Sequence, residues 1–208
     1  VLGALVNTKD HSKGLDVGTG TGVLALMLVQ SNKDLKMDAV ELDQESCLDA
    51  KDNFSQSNYA SQLTLFQQDF LTFEGANYDL IVCNPPYYEG GLLGDDARVN
   101  TAKHVGNLSP EKLYNKVKLS LAQKGSFWLI WPYEERKNLI NTARDLGLFL
   151  CHSIVIFGKP GLPKRVVLCF KKEKPGELVE EELTLRNSDN SYTQEYIGLT
   201  KEFHFKSL

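Results

Sequence analysis

The sequence predicts an α/β fold, a doubly wound, mostly parallel seven-stranded sheet with helices on both faces and a C-terminal antiparallel hairpin. Strand-like and helix-like segments alternate along most of the chain, and such alternation is typical of parallel sheets covered by helices. Two strand-like segments near the C-terminus flank a short loop rich in glycine and proline, which indicates the hairpin. The 208 residues are enough for one domain with a sizeable core.

The elements of the first half follow from local signals. Residues 13–18 are a short predicted strand that ends in glycine, and the next segment, LALMLVQ, is apolar nearly all round, which predicts a buried helix. LKMDAVEL (35–42) is strand-like, and Asp43 is the expected N-cap of a helix over 43–54. Two further strands are predicted at LTLFQQ (63–68) and YDLIVCN (78–84).

The second half continues the alternation. The segment 109–125 opens with Ser-Pro-Glu, a typical helix start, and Gly125 is expected to end that helix. GSFWLIWP is a predicted strand, EERKNLINTARDLGL a predicted helix, and LFLCHSIVIF and KRVVLCF the strands of the hairpin around GKPGLP. The acidic segment ELVEEE (177–182) is expected to be a solvated turn. We expect residues 1–208 to form a single domain, with 172–208 as a C-terminal extension.

Composition limits the classes of function. The net charge is −4, with 27 acidic and 23 basic residues, which argues against coating nucleic acid through global charge. The longest apolar run, residues 23–29, is too short to cross a bilayer. The four cysteines show no CxxC or Cys/His spacing, so neither a zinc site nor a disulfide framework is expected, and a cytoplasmic location is favoured.

A glycine-rich loop follows the first predicted strand. LDVGTGTGVLAL places Asp16 before Gly18, Gly20 and Gly22, and glycines allow a sharp turn and the close approach of a ligand. The spacing is GxGxG and differs from the GxGxxG of dinucleotide-binding loops. An acid beside the loop suits a cationic ligand better than a phosphate. S-adenosylmethionine, which carries an ammonium and a sulfonium, fits this description.

Two more acids follow predicted strands. Glu41 ends the second strand, where a carboxylate can accept hydrogen bonds from both hydroxyls of a ribose. Asp69 follows the third strand, where it could accept from an adenine amine. Because the carboxyl ends of parallel strands meet at one edge, both acids, the glycine loop with Asp16, and Asn84 after the fourth strand are expected to lie together and to bind the cofactor.

The stretch DLIVCNPPYYEGG changes character at Asn84. The strand must stop there, because proline cannot donate to a sheet ladder. The Asn84 side-chain carbonyl and the Pro85 backbone carbonyl could accept hydrogen bonds from a planar amine. Two fixed acceptors would favour the positive charge that develops on that nitrogen during methyl transfer. The ring of Tyr87 could stack on a flat substrate.

The motifs DVGTGTG, VELD and NPPY, in this order, resemble the class I S-adenosylmethionine-dependent methyltransferases that act on amino nitrogens. Over nearly the whole chain, including KRVVLCF and the tail YTQEYIGLT, the sequence is similar to the bacterial tRNA(Val) adenine-N6-methyltransferases. The resemblance implies a Rossmann-like fold, S-adenosylmethionine as cofactor, tRNA as partner, and adenine 37 of tRNA1(Val), the purine 3′ of the anticodon, as substrate. It also implies that the family's N-terminal lid segment is largely missing.

Basic residues in two segments are expected to face tRNA phosphates. The glycine-rich loop 88–108 lies next to NPPY and is expected to gate the substrate, and the hairpin supplies a second positive surface. A merely solvated hairpin face is the alternative interpretation. The residues concerned are Arg98, Lys103 and His104 in the loop, and Lys159, Lys164 and Arg165 in the hairpin.

Two other functions remain open. Methyltransferases that modify a glutamine of release factors also carry NPPY and act on a similar planar amide, although they normally have an additional N-terminal helical domain. A non-catalytic module that binds S-adenosylmethionine or RNA is less favoured, because binding alone does not require paired acceptors beside the methyl group.

Overall fold

The computed structural model describes residues 1–85 and 108–203. The strands of this part of the chain are β1 (Lys13–Val17), β2 (Lys36–Glu41), β3 (Leu63–Gln67), β4 (Tyr78–Cys83), β5 (Leu121–Pro132), β6 (Phe149–Phe157), β7 (Pro163–Lys171) and β8 (Val179–Thr184). The helices are α1 (Leu2–Leu5), α2 (Val23–Ser31), α3 (Gln44–Gln56), α4 (Pro110–Ser120), α5 (Arg136–Asp145) and α6 (Gln194–Thr200).

The described strands form one sheet in the order β3-β2-β1-β4-β5-β7-β6-β8. Strands β3, β2, β1, β4 and β5 run parallel, and β7 lies antiparallel between β5 and β6. The strand order reverses between β1 and β4, which makes that crevice the topological switch point where ligands bind in such sheets. The predicted α/β fold, with its parallel sheet and C-terminal hairpin, is confirmed.

The sheet has one strand more than the predicted seven. Residues 179–184 form β8, which pairs parallel with β6, so the expected solvated turn at ELVEEE is wrong. Leu183 is buried on the sheet, and Glu180 forms an ion pair with Arg136 at 2.7 Å. The acidic side chains suggested a turn because most side chains of an edge strand lie in solvent, as those of a turn do. Charges on an edge strand also protect it from further pairing.

Two apolar cores cover the two faces of the sheet. One contains buried residues of α1, α2 and α3, and the other contains buried residues of α4 and α5. Strand β4 divides its side chains between them, since Leu80 and Val82 face the first core and Ile81 and Cys83 the second. This alternation explains why residues 80–83 of β4 are an unbroken apolar run, as expected for a strand buried on both faces.

The predicted helix starts are confirmed, but one predicted end is wrong. Asp43 Oδ2 accepts a hydrogen bond from Ser46 N at 2.8 Å, and Ser109 Oγ accepts one from Lys112 N at 3.3 Å. Helix α4 ends at Ser120, and Gly125 lies within β5. A Cβ at Gly125 would lie 2.8 Å from the carbonyl oxygen of Tyr78, so this glycine permits the close approach of β4 and does not cap the helix.

None of the helices in residues 1–85 and 108–203 is both long and apolar enough to cross a bilayer. Within the same residues, no three His, Cys, Asp or Glu side chains come together as a metal site.

Candidate active site

The strand register brings the predicted site residues to one edge of the sheet. Val17 of β1 lies between Val40 of β2 and Cys83 of β4. The glycine loop, Glu41 and Asn84 therefore follow the carboxyl ends of three adjacent strands. We refer to this side of the sheet, where β1, β2 and β4 end, as the carboxyl edge.

The three loop glycines all adopt left-handed backbone conformations, but their surroundings differ. Gly18, Gly20 and Gly22 have φ values of +67°, +57° and +82°. A Cβ at Gly18 or Gly20 would meet nothing within 4 Å, whereas a Cβ at Gly22 would lie 2.3 Å from Phe54 Cε1. Gly18 and Gly20 thus leave room at the carboxyl edge, and Gly22 allows α2 to begin against α3.

Glu41 ties the glycine loop to the end of β2. Its Oε2 accepts a hydrogen bond from Gly20 N at 2.9 Å, and its Oε1 accepts from Leu42 N at 2.8 Å and Asp43 N at 2.9 Å. The side chain is buried. A carboxylate offers about four acceptor positions, so these backbone bonds hold the group rigidly and leave about one position for a ligand hydroxyl.

Asp16 is a buried acid at the end of β1. Its Oδ2 accepts a hydrogen bond from Thr19 Oγ1 at 2.6 Å, while its Oδ1 has no hydrogen-bond partner among the described residues. Burial raises the pKa of Asp16 to about 7, and the nearby charge of Glu41 acts in the same direction. A buried acceptor without a partner calls for a donor, and an ammonium group of a cationic ligand could provide one.

A narrow pocket opens beside Glu41 at the carboxyl edge, and its cavity volume is about 60 Å³. Small-molecule sites are typically apolar clefts with a few polar groups. Asp69 contributes one of those groups, and its Oδ1 accepts a hydrogen bond from Leu71 N at 2.9 Å. The walls are formed by Val17, Gly18, Val40, Glu41, Leu42, Gln68, Asp69, Phe70, Leu71 and Leu108. The pocket therefore suits an apolar, flat group such as a nucleoside.

The predicted catalytic residues are described only in part. Asn84 follows β4 directly and is exposed, and Pro85 is buried. Both lie at the switch point, on the same edge as the pocket. Tyr87 and the loop residues Arg98, Lys103 and His104 lie outside the described residues, so their assignments stay predictions.

The basic hairpin also points to the carboxyl edge. Arg165 is the register partner of Pro132 at the end of β5 and of Ile156 near the end of β6, and Lys164 beside it is exposed. Strand β7 is two strands from β4, so the hairpin begins about 10 Å from Asn84 along the sheet. Lys159, Lys164 and Arg165, which we call the basic tip, thus lie on the same edge as the site.

Some residues that shape the site escaped the sequence analysis. Thr19 holds Asp16, while Leu42, Phe70 and Leu71 wall the pocket. Three of these residues could have been found from their position in the sequence. Leu42 follows Glu41, and Phe70 and Leu71 are the two residues after Asp69. Leu108 offered no signal, because its place in the pocket depends on the path of the chain.

Solved methyltransferase structures share the doubly wound fold of this chain. A protein of Agrobacterium tumefaciens, described as a predicted O-methyltransferase, shares the fold with a TM-score of 0.76 at 15% identity, over 97% of this chain and 94% of that chain. A TehB-like SAM-dependent methyltransferase from Corynebacterium glutamicum gives a TM-score of 0.55 at 19% identity, over 78% and 81% of the two chains.

The sequence comparisons specify the family. Residues 1–135 match the family model of the methyltransferase small domain. A tRNA1(Val) (adenine(37)-N6)-methyltransferase of Tolumonas auensis is 36% identical over 207 residues, 99% of this chain and 87% of that protein. A Bacteroides fragilis protein of the same name is 35% identical over 211 residues, with 99% and 88% coverage. The chain therefore belongs to the methyltransferase small-domain family, together with these relatives, and the predicted resemblance is confirmed.

Proposed function

We propose that the chain transfers the methyl group of S-adenosylmethionine to the N6 amine of adenine 37 in tRNA1(Val). The observation that carries the proposal is the shared carboxyl edge, on which Asn84 follows β4 and a pocket lined by Glu41 and Asp69 opens. The choice of tRNA follows from the printed activity of relatives that align with 99% of the chain. A cytoplasmic location is part of the same proposal, because tRNA is modified there.

Three acids would hold the cofactor. Glu41 would accept from a ribose hydroxyl with its remaining acceptor position, and Asp69 from the adenine amine at the other side of the pocket. The partnerless Oδ1 of Asp16 would face the cationic amino-acid end. When bound, S-adenosylmethionine would supply a methyl group on a sulfonium, which needs no activation by a metal.

Asn84 and Pro85 would prepare the attacking amine. The lone pair of an exocyclic amine is delocalised into the ring, so the nitrogen is a poor nucleophile. Hydrogen bonds accepted by the Asn84 side-chain carbonyl and the Pro85 backbone carbonyl would favour a pyramidal nitrogen and stabilise its developing positive charge. Acceptors fixed before the reaction stabilise the transition state most effectively, and the buried Pro85 next to the rigid end of β4 supports such fixing.

An adenine in an anticodon loop can be reached without a dedicated recognition domain. Such a base is unpaired, so turning it out of its stack costs little. The basic tip would contact the phosphates beside the target. Each phosphate neutralised on a single strand should add about 0.7 to the salt slope of binding.

Methyl transfer to matched acceptors tests the proposal. Labelled S-adenosylmethionine is incubated with the protein and tRNA1(Val) transcripts that carry adenine or guanine at position 37. Parallel reactions contain release factor and duplex DNA, and a reaction with Asn84→Ala protein controls for a contaminating enzyme. Label confined to the adenine transcript is expected. Label on release-factor glutamine and none on tRNA would overturn the substrate assignment in favour of the glutamine alternative.

A further inference from the structure

Cys151 and Cys169 lie side by side on the two strands of the hairpin. Their Sγ atoms are 3.3 Å apart, and the Cys151 thiol also contacts the carbonyl oxygen of Cys169 at 3.3 Å. The ladder between β6 and β7 shifts register between Leu150 and His152, so Cys151 occupies an irregularity opposite Cys169. A disulfide bond is about 2.05 Å long, so the sulfurs need to approach by only a little more than about 1 Å.

The two thiols differ in the way that thiol–disulfide exchange requires. Cys151 is partly exposed and Cys169 is buried. The contact with Cys169, with help from the charge of Lys171, lowers the pKa of the Cys151 thiol, while burial raises that of Cys169. Attack by the more accessible and more acidic thiol is the favoured first step of exchange.

The other cysteines lack these features. Cys47 and Cys83 are both buried, and burial raises the pKa of each thiol. Neither makes a recorded hydrogen bond to another sulfur in the described residues. They therefore serve as internal controls for a reaction that depends on a paired thiol.

We propose that Cys151 and Cys169 form a reversible disulfide site that reacts with small disulfides such as oxidised glutathione. The Cys151 thiolate attacks one sulfur of the reagent, whose S–S bond breaks and releases one thiolate. Cys169 then loses its proton and attacks the Cys151 sulfur of the mixed disulfide, releasing the second thiolate. The two cysteines are oxidised to one disulfide, and the reagent is reduced to two thiols.

The bond would join the strands that carry the basic tip. It would close a loop from Cys151 to Cys169 that contains Lys159, Lys164 and Arg165. A cross-link of this kind restricts the unfolded chain, so the oxidised protein should unfold at a higher denaturant concentration than the reduced protein. The site is a property of the hairpin and does not depend on the proposed substrate.

The proposal is tested by treating the folded protein with oxidised glutathione. The remaining thiols are then titrated in denaturant, and linked peptides are identified by mass spectrometry. The wild-type chain, with its four thiols, should lose two and yield one peptide pair linked through Cys151 and Cys169. Cys169→Ala should stop at the mixed disulfide and gain one glutathione on Cys151. Cys151→Ser should keep its remaining thiols, and Cys47→Ala should form the bond as the wild type does.

A second readout is available in the same samples. Trp128 is the register partner of Cys169, and disulfides quench indole fluorescence, so oxidation should dim the emission and a reductant should restore it. Retention of all four thiols under conditions in which Cys169→Ala takes up glutathione would overturn the proposal. So would linkage of any other pair of cysteines.

Discussion

Replacing Glu41 separates its observed role, which is to hold the glycine loop, from its proposed role, which is to bind the cofactor. In the structure, its carboxylate accepts backbone hydrogen bonds from Gly20, Leu42 and Asp43 at 2.8–2.9 Å. Glu41→Ala removes all three bonds together with the position proposed for the ribose. Glu41→Gln keeps one oxygen, which can serve Leu42 and Asp43, but it turns an amide NH₂ towards the donor of Gly20.

The expected free-energy costs differ between losing the loop contacts and losing the contact with the cofactor. Leu42 is exposed, and Gly20 and Asp43 are half-buried. An unsatisfied buried donor costs about 1–3 kcal/mol, which is the upper limit for each backbone hydrogen bond that is lost here. Loss of a hydrogen bond from a ligand to a charged group costs about 1.5–3 kcal/mol, which is about a ten- to hundredfold loss in affinity. Both variants should therefore remain folded but bind S-adenosylmethionine weakly.

Two measurements on each variant decide the matter. Urea unfolding gives the free energy of unfolding, and titration calorimetry on the folded protein gives the affinity for S-adenosylmethionine. We expect Glu41→Gln to keep more stability than Glu41→Ala while losing most of the affinity. If Glu41→Ala binds S-adenosylmethionine within a factor of two of the wild type, the carboxylate does not contact the cofactor and the ribose assignment is refuted.

Three further predictions address catalysis, tRNA binding and pH. Asn84→Ala should keep its cofactor affinity and lower single-turnover methyl transfer about 10²–10³-fold, because the lost acceptor acts in the transition state. Reversing both charges in Lys164→Glu/Arg165→Glu should raise the KM for tRNA and reduce the salt slope of binding by roughly 1.4–1.8, from two phosphates at 0.7–0.9 each. Since burial raises the folded-state pKa of Asp16 to about 7, the unfolded chain loses this proton first. Stability should therefore fall between about pH 4 and pH 7 and level off above it, and Asp16→Asn should remove this fall in urea unfolding curves.

The charge reversal has a matched control, and each of the three predictions has an outcome that would contradict it. Lys33→Glu/Lys36→Glu changes the net charge equally but lies before and at the start of β2, on the opposite edge, and it should leave the KM for tRNA unchanged. Equal effects of both reversals would mean that global charge controls binding. A fully active Asn84→Ala protein would exclude the proposed acceptor, and equal pH dependence of the wild type and Asp16→Asn would show that Asp16 ionises normally.

Those parts of the site that depend on strand ends could be predicted from the sequence. In a parallel sheet, the end of each strand is fixed at the same edge, so an acid at such an end is placed by the fold class alone. Glu41 and Asn84 are placed this way, and the register of Val17 with its neighbours bears out their common edge. The Asp43 cap was also predictable, because an N-cap depends only on residues within one helical turn.

Features that depend on pairing distant segments could not be predicted. The nearness of Cys151 to Cys169 requires an irregular register in the hairpin, which no local pattern encodes. Gly125 resembled a helix cap because glycine serves both uses, and only the contact with β4 distinguishes them. The acids of β8 looked like a solvated segment because a strand at the sheet edge and a turn expose similar side chains to water.

The placement of charges reconciles a chain of net charge −4 with a polyanionic partner. The acids of β8 lie along the outermost strand on that side of the sheet, and Glu180 is neutralised by Arg136 at 2.7 Å. The effect of a charge on a bound phosphate weakens over each Debye length, about 8 Å at physiological salt, and the acids of β8 lie about four strand spacings, or about 19 Å, from β4. Lys164 and Arg165, by contrast, lie on the carboxyl edge about two strand spacings, or about 10 Å, from the end of β4. A phosphate beside the target base would therefore sense mainly these nearby cations, and the net charge of the whole chain is a poor guide to whether it binds tRNA.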